Sequence, residues 1–279
     1  MSENAIFYIA FVADLWHNVY NICIMRGSFM PVRQLVLHIF LWALIAAAAL
    51  FVIYLAVLAI APLFVDTKKE YDKDSRFFRF LLYSSTAIGM RIMRLHFHVS
   101  GIEKLPKDSR FLLVGNHLSN FDPIIEWHIL RKFGLAFISK EGNFKIPIWG
   151  RIIRKCCFLS IDRENARNAM RTINKAAELI RADEVSVAVY PEGTRSKSGE
   201  LLPFHNGVFK IAKKAGVPIV VAVIKNTNRI AKNYPWHKTD VYLDFVTVIG
   251  RDEVKANTSG EIGDKVHEIM KNYIENKGD

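Results

Sequence analysis

Cysteine, glycine and proline are scarce in this sequence: 279 residues include 3 Cys, 15 Gly and 9 Pro. Three cysteines are too few for a disulfide framework, and two of them, Cys156 and Cys157, are adjacent and poorly placed to pair with each other. Glycine follows no triplet period, and no internal repeat or low-complexity tract is present. Small secreted scaffolds and collagen-like chains are therefore excluded, and a reducing compartment is expected.

Charge is also low, since only 23% of residues are charged while 51% are apolar, and the mean hydropathy is +0.13. These values exclude a disordered chain. The length suits one sizeable domain with additional segments.

Acidic residues are outnumbered, and the formal net charge of +11 is unevenly distributed. Residues 131–171 hold ten Lys or Arg and three acids, and residues 195–232 hold eight Lys or Arg and one acid. Each stretch carries +7, so the rest of the chain carries a net negative charge. The pattern predicts an anionic partner. Neither a nucleic-acid-binding module nor interleaved aromatic and basic residues are evident, so nucleic acid is not expected.

One long segment has no charge at all. Residues 35–65 are 31 uncharged, mostly apolar residues between Arg33 and Asp66. A helix of this length exceeds the roughly 30 Å hydrocarbon core of a bilayer, so it predicts a membrane-embedded helix that either spans or re-enters. Residues 66–94 follow, with arginines at 76, 79, 91 and 94 in an apolar stretch. They predict an amphipathic helix at the interface with its guanidinium groups among lipid phosphates, and a second transmembrane span is the alternative. Residues 1–34 are either an extension or a short amphipathic anchor.

From residue 95 to residue 279, short apolar runs alternate with amphipathic segments, which predicts an α/β domain with a mostly parallel sheet flanked by helices. The predicted strands are 96–100, 111–114, 136–139, 158–161, 185–190, 219–224 and 241–249. The predicted helices are 123–133, 165–182, 207–215 and 260–276. His96 and His98 share one face of the first strand, but no third ligand has suitable spacing, so no metal is expected.

Two loops at strand ends carry the polar residues. After 111–114 comes Asn-His-Leu-Ser-Asn-Phe-Asp, residues 116–122, followed by Pro123. Asp122 is either an N-cap before a helix that starts with proline, or a carboxylate that holds one nitrogen of His117 and leaves the other as a base. After 185–190 comes Pro-Glu-Gly-Thr-Arg-Ser, residues 191–196, which is either an ordinary turn or a phosphate-binding loop that uses Arg195 and the backbone around Gly193.

These blocks resemble the glycerophospholipid acyltransferases of the lysophosphatidate acyltransferase type, which carry N-H-x-x-x-x-D and P-E-G-T-R in this order. A Lys-containing segment at 139–141, an Arg-ended strand at 161–163 and Val-Pro-Ile at 217–219 also match, so the resemblance covers about residues 95–250. One departure is His205, which stands where many relatives have Lys.

The resemblance implies transfer of an acyl chain from a thioester to the hydroxyl of lysophosphatidate, with His117 as base and Asp122 as its partner. It also implies an acceptor-binding set consisting of Lys140, Arg163, Glu192, Gly193, Thr194 and Arg195. Glu192 would brace its loop or bind a hydroxyl, and Ser119 and Cys157 are not expected to act as nucleophiles. Glycerol 3-phosphate or another lysophospholipid remains an alternative acceptor, and a non-catalytic lipid-binding scaffold is a distant alternative.

No cofactor is expected, because acyl-CoA or acyl carrier protein serves as the co-substrate. The expected surroundings are membrane lipids. Because cytosolic thioesters supply the acyl chain, the catalytic domain is expected on the cytoplasmic face of the membrane.

Overall fold

The computed structural model describes residues 31–162 and 165–276, together with Asp14. The possible anchor within residues 1–29 therefore lies, apart from that one residue, outside the described residues, as does Arg163. The chain divides into two compact units, Met1–Leu58 and Ala59–Asp279.

The uncharged segment forms helix α1, Val32–Ile60, followed by a 3₁₀ turn at Ala61–Phe64. Its composition is almost entirely apolar, and none of the α1 residues is buried. The helix is long and apolar enough to cross a membrane.

The next helix, α2, covers Arg76–Ile92 and belongs to the second unit. It buries Leu81, Leu82 and Met90 in that unit, while Phe80 and Ile92 on other faces stay exposed. Residues 66–94 were predicted as a segment separate from the α/β domain, whereas α2 packs as part of it.

The expected role of Arg79 among lipid phosphates is wrong. Its side chain is buried and forms an ion pair with Asp74, with Nη2 2.8 Å from Oδ1. The guanidinium also donates to the carbonyl oxygens of Leu135 and Cys156 at 2.7 and 3.0 Å. Because its fork of donors is used by buried acceptors, Arg79 joins α2 to the domain instead of reaching lipid.

The second unit is built on a seven-stranded sheet with the order β1-β7-β6-β2-β5-β3-β4. All neighbouring strands are parallel except β6 and β7, which are antiparallel. The strands are β1 Leu95–Ser100, β2 Leu112–Gly115, β3 Leu135–Lys140, β4 Leu159–Ile161, β5 Ser186–Val189, β6 Ile219–Lys225 and β7 Thr239–Ile249. The predicted α/β class with a mostly parallel sheet is confirmed.

The central strands explain why this sheet forms. Strands β2 and β5 are buried along their whole length, and β6 is buried except for Lys225. Continuous runs of Val, Ile, Leu and Ala are typical of parallel strands with helices on both faces. The edge strand β1 is more polar and more exposed. On β1, Nε2 of His98 lies 3.1 Å from Oδ1 of Asp240. Among the described residues, no group of three ligands is placed to hold a metal ion.

Six of the remaining helices lie between strands, and the last two follow β7. They are α3 Asp122–Ile129, α4 Glu141–Phe144, α5 Trp149–Lys155, α6 Ala166–Arg181, α7 Lys210–Ala215, α8 Ile230–Asn233, α9 Arg251–Ala256 and α10 Ser259–Asn276. Short 3₁₀ turns lie at Ile102–Lys104, Arg131–Phe133, Asn206–Phe209 and Thr227–Arg229. Helix α6 begins after Asn165, whose side chain accepts from the backbone N–H groups of Arg167 and Asn168 at 3.1 Å each.

Candidate active site

The motif loops meet at one edge of the sheet. Strands β2, β5 and β3 are adjacent and parallel, so their carboxyl ends lie side by side. The His117 loop follows β2, the Glu192 loop follows β5, and Lys140 is the last residue of β3. In parallel sheets of this kind, ligands bind outside the carboxyl ends of the strands.

The imidazole of His117 and the carboxylate of Asp122 are in direct contact. Nδ1 of His117 lies 2.7 Å from Oδ2 of Asp122. Asp122 is fully buried, whereas the His117 side chain is 18% exposed. Since a carboxylate only accepts, Nδ1 carries the hydrogen, and Nε2 keeps its lone pair free.

The Asp122 carboxylate receives several further hydrogen bonds. Oδ2 accepts from the backbone N–H groups of Leu118 and Ser119 at 2.6 and 2.7 Å, and Oδ1 accepts from Ser119 Oγ at 3.2 Å and from the Thr227 hydroxyl. Together with His117, these are five donors on one carboxylate. Such convergence favours the charged carboxylate inside the protein.

The predicted N-cap role of Asp122 is not what the structure shows. Helix α3 begins at Asp122 itself, the cap position is Phe121, and no side-chain cap bond forms there. Pro123 stands at the start of the helix as expected. The carboxylate bonds the preceding loop instead, because the turn through Ser119 aims its N–H groups at it.

Tyr190 lies beneath the His117 ring. The two ring centroids are 4.2 Å apart and the planes differ by 5°. The Tyr190 hydroxyl donates to Oε2 of Glu126 at 2.7 Å. The stacking with Tyr190 holds the plane of the imidazole. The face of the tyrosine ring also attracts a cation placed above it.

Glu126 is a second buried carboxyl group, on α3 one turn after Asp122. Burial raises the pKa of Glu126 well above its usual range; the Tyr190 hydrogen bond opposes this shift and the nearby Asp122 charge adds to it. Its Oε1 has no hydrogen-bond partner among the residues that the structure describes. We therefore assign Glu126 as the neutral acid.

Glu192 braces the two loops against each other. Its Oε1 accepts from the backbone N–H of His117 at 2.7 Å, and its Oε2 accepts from that of Leu202 at 3.1 Å. Burial raises the pKa of this carboxyl, and the two backbone hydrogen bonds act in the opposite direction. A further bond joins the two loops, since the backbone N–H of Ser196 donates to the His117 carbonyl at 2.8 Å.

The other predicted binding residues lie on the surface of the same edge. Gly193 has φ +70°, a conformation that glycine adopts without strain, and this allows the tight turn after β5. Thr194 and Arg195 follow it and are exposed, as is Lys140. The guanidinium of Arg195 is therefore accessible to an anion beside the His117 loop.

Among the described residues, Cys156, Cys157 and Ser119 are not placed as nucleophiles. Cys156 and Cys157 are buried, and burial raises the pKa of each thiol to about 12. The thiolates that nucleophilic attack needs are absent at neutral pH. The Ser119 hydroxyl donates to Oδ1 of Asp122, which also accepts from the Thr227 hydroxyl. This carboxylate is therefore not free to act as a base toward Ser119.

Sequence reasoning missed four residues of this arrangement: Asn116, Glu126, Tyr190 and Thr227. The Asn116 amide exchanges two hydrogen bonds with the backbone of Ile224, at 2.8 and 3.0 Å, and so ties the end of β2 to β6. Asn116 is the first residue of one motif and Tyr190 directly precedes the other, which was the available signal. Thr227 is 105 residues from Asp122, and Glu126 is 64 residues from Tyr190, so nothing local indicated these pairs.

Comparison with known proteins gives consistent matches over the sheet domain. The model of the Acyltransferase family matches residues 96–225. The 1-acyl-sn-glycerol-3-phosphate acyltransferase of Haemophilus influenzae is 27% identical over 175 residues, which cover 61% of this chain and 72% of that protein. A chloroplastic 1-acyl-sn-glycerol-3-phosphate acyltransferase of Brassica napus is 36% identical over 135 residues, or 47% of this chain and 38% of the relative.

The structural match covers more of the chain. The crystal structure of a 1-acyl-sn-glycerophosphate acyltransferase from Thermotoga maritima superposes with a TM-score of 0.61 at 25% identity. The superposition covers 88% of this chain and 96% of that one. The fold of this chain is therefore shared with that enzyme beyond the motif loops.

Proposed function

Because the chain belongs to the glycerophospholipid acyltransferase family, we propose that it transfers a fatty acyl chain from an acyl thioester to the free hydroxyl of lysophosphatidate, giving phosphatidate. The relatives described above are named for this acceptor. The observation that carries the proposal is the His117–Asp122 contact of 2.7 Å, which leaves Nε2 of the imidazole without a proton on a side chain that is 18% exposed.

The reaction needs a base because an alcohol is a poor nucleophile. In the proposed step, Nε2 of His117 takes the hydroxyl proton while the oxygen attacks the thioester carbonyl. The carbon–sulfur bond then breaks, and the thiolate takes the proton back from the imidazolium. Asp122 keeps the imidazole in the required tautomer and stabilises the imidazolium. A positioned base of this kind contributes about 10²–10⁴-fold to the rate.

The phosphate of the acceptor must be held while its hydroxyl reaches His117. Lys140 and Arg195 are exposed at the edge where the His117 loop lies, and Arg offers a planar fork suited to phosphate. We assign these two residues, with Arg163 and the backbone of Gly193 and Thr194, to acceptor binding. Glu192 supports them by bracing the loops.

The donor and the location follow from the same chemistry. Both acyl-CoA and acyl carrier protein present a thioester that needs no metal or redox cofactor, and both carry negative charge that suits the two basic stretches. The lipid acceptor and product reside in a bilayer, and α1 is long and apolar enough to cross one. We propose a membrane-anchored enzyme whose catalytic domain faces the cytoplasm.

The test uses the purified full chain in lipid vesicles with one labelled acyl thioester. Lysophosphatidate, glycerol 3-phosphate and a lysophospholipid with a larger headgroup are supplied as separate acceptors. We expect transfer to lysophosphatidate first, and its loss in His117→Ala. The matched control is His98→Ala, an exposed histidine of β1, which should keep the wild-type rate.

Two results would contradict the proposal. Preference for another acceptor would reassign the substrate while keeping the reaction. Lipid binding without thioester consumption by the wild-type protein, under every condition, would instead indicate a scaffold.

A further inference from the structure

A loop of exposed aromatic residues lies at the same edge of the sheet as His117. The loop joins α8 to β7 and reads Tyr-Pro-Trp-His-Lys, residues 234–238. Trp236 is 80% exposed and Tyr234 is 45% exposed. A tryptophan left in water at this level is unfavourable and indicates a surface that contacts something apolar.

The sheet topology places this loop. Strand β7 is antiparallel to β6, so its first residue, Thr239, lies beside the carboxyl end of β6. Thr227, which bonds Asp122, follows that same end of β6. The aromatic loop therefore lies on the active-site edge and not on the opposite one.

The end of α2 lies against the loop. Strand β1 runs parallel to β7 and starts beside Thr239, so Arg94, the residue before β1, is also at this edge. The Arg94 guanidinium donates to the Trp236 carbonyl at 3.2 Å, and the Arg94 carbonyl accepts from the Thr239 N–H at 3.3 Å. Ile92, 59% exposed, adds a further apolar side chain to the edge.

The loop is held in one shape. The Asn233 amide donates to Thr239 Oγ1 at 2.9 Å, and the Asn233 carbonyl accepts from the His237 N–H at 2.7 Å. The aromatic side chains are thus presented on a closed turn, which lowers the entropy that binding must overcome.

The charges around the loop are mostly positive. The exposed cations are Arg91, Arg94, Lys232 and Lys238, and the nearby acid Asp240 is engaged by His98 and by Lys238. Amphipathic aromatic side chains beside Lys and Arg are typical of surfaces that lie at the interface of an anionic bilayer.

We propose that Ile92, Arg94, Tyr234 and Trp236 form an interfacial rim, which lays the active-site edge of the catalytic domain on an anionic bilayer. The rim is a lipid contact made by the catalytic domain itself. A kinetic consequence is that an acceptor lipid enters the active site directly from the bilayer. This consequence rests on the proposed function, whereas the lipid contact does not.

The contact is tested with a lipid-borne quencher. Trp236→Cys is made in the full chain with Cys23→Ser and labelled with a fluorophore, while Cys156 and Cys157 are buried and stay unlabelled. The matched control is Ile102→Cys, 44% exposed just after the far end of β1. In phosphatidylglycerol vesicles containing nitroxide lipid, we expect clear quenching at 236 and little at 102. Equal quenching at both positions would overturn the rim.

The kinetic arm uses Trp236→Ser with two acceptors. For long-chain lysophosphatidate in vesicles we expect KM to rise about five- to tenfold, because the rim no longer orients the domain on the bilayer. For a short-chain lysophosphatidate dissolved as monomers, KM should change less than about twofold. An equal rise for both acceptors, or a change confined to the thioester donor, would contradict the lipid contact. If the wild-type protein transfers no acyl chain at all, the proposed function fails and the quenching result still decides the rim.

Discussion

Two carboxyl groups buried on the same helix, Asp122 and Glu126, are in opposite surroundings. Asp122 accepts from five donors supplied by the His117 loop and Thr227. Glu126 accepts from the Tyr190 hydroxyl, and burial raises its pKa well above the usual range. Equal burial thus comes with five donors at one carboxyl group and one donor at the other four residues later, and donors of this kind favour the charged form of a carboxyl group.

The difference has a chemical use. In the proposed mechanism, a negative charge at Asp122 holds the Nδ1 proton of His117 and stabilises the imidazolium formed when the acceptor hydroxyl loses its proton. A neutral Glu126 accepts the hydrogen bond of the Tyr190 hydroxyl and so holds the ring that stacks on His117, without adding a second charge. One helix therefore supplies both the electrostatic partner and the mechanical support of the base.

The largest expected effect comes from Asp122→Asn. The amide offers one accepting oxygen, and its NH₂ group faces donors, so the tautomer of His117 is no longer fixed. We expect kcat/KM for acyl transfer to fall by about 10³–10⁴-fold, measured with labelled thioester. A loss of less than about tenfold in a folded variant would mean that Asp122 serves only the fold.

Thr227→Val removes one of the five donors and should have an intermediate effect. We expect about a tenfold loss of kcat and a decrease of about 1 kcal/mol in the free energy of unfolding. The matched control is Thr172→Val on α6, whose hydroxyl donates to the Ser160 carbonyl at 2.8 Å away from the site. Equal loss of activity in both variants would show that general destabilisation, and not the Asp122 charge, is responsible.

Tyr190→Phe separates the ring from its hydroxyl. In Tyr190→Phe the stacked ring under His117 remains, so we expect kcat to fall less than about threefold. In Tyr190→Leu the ring face is lost, so kcat should fall further. Steady-state rates of the two variants provide the comparison. If phenylalanine is as damaging as leucine, the hydroxyl bond to Glu126 matters more than the stacking.

The smallest effect on activity is expected for Glu126→Gln, which imitates the neutral acid. Its signature is the pH dependence of stability. A carboxyl group with a raised pKa stabilises the fold fully below its ordinary value of 4.5. That contribution is lost as the pH rises through the raised value, with a slope of at most about 1.4 kcal/mol per pH unit.

Thermal unfolding of both proteins between pH 5 and 8 tests this sign. The melting temperature of Glu126→Gln relative to wild type should increase with pH. A constant difference across this range would mean that Glu126 is already charged in the folded protein.

Much of the fold was predicted from hydrophobic patterns, because the central strands β2, β5 and β6 are apolar runs bounded by turns or helices. The short helices α4, α5, α8 and α9 were not predicted, because a helix of four to seven residues shows too little hydrophobic periodicity to be recognised. Arg79 was misplaced for another reason: its acceptors Leu135 and Cys156 are 56 and 77 residues away, and pattern alone does not reveal a buried guanidinium.

The candidate site was readable where its chemistry is local. His117 and Asp122 are five residues apart, in the loop after β2 and at the start of the helix that follows it, so their contact was expected from the motif. The neutral acid Glu126, the stacked Tyr190 and the donor Thr227 reach the site from three different elements. Only the sheet order, which places β2 between β5 and β6, brings them together.

The most direct test of His117 and Asp122 as one catalytic unit is a double-mutant cycle on single-turnover acyl transfer to lysophosphatidate. Wild type, His117→Ala, Asp122→Asn and the double variant are compared at one pH. If Asp122 acts through the imidazole, as proposed, the double variant should be no slower than His117→Ala. Losses that multiply, so that the double variant is slower by the product of the two single effects, would contradict this coupling.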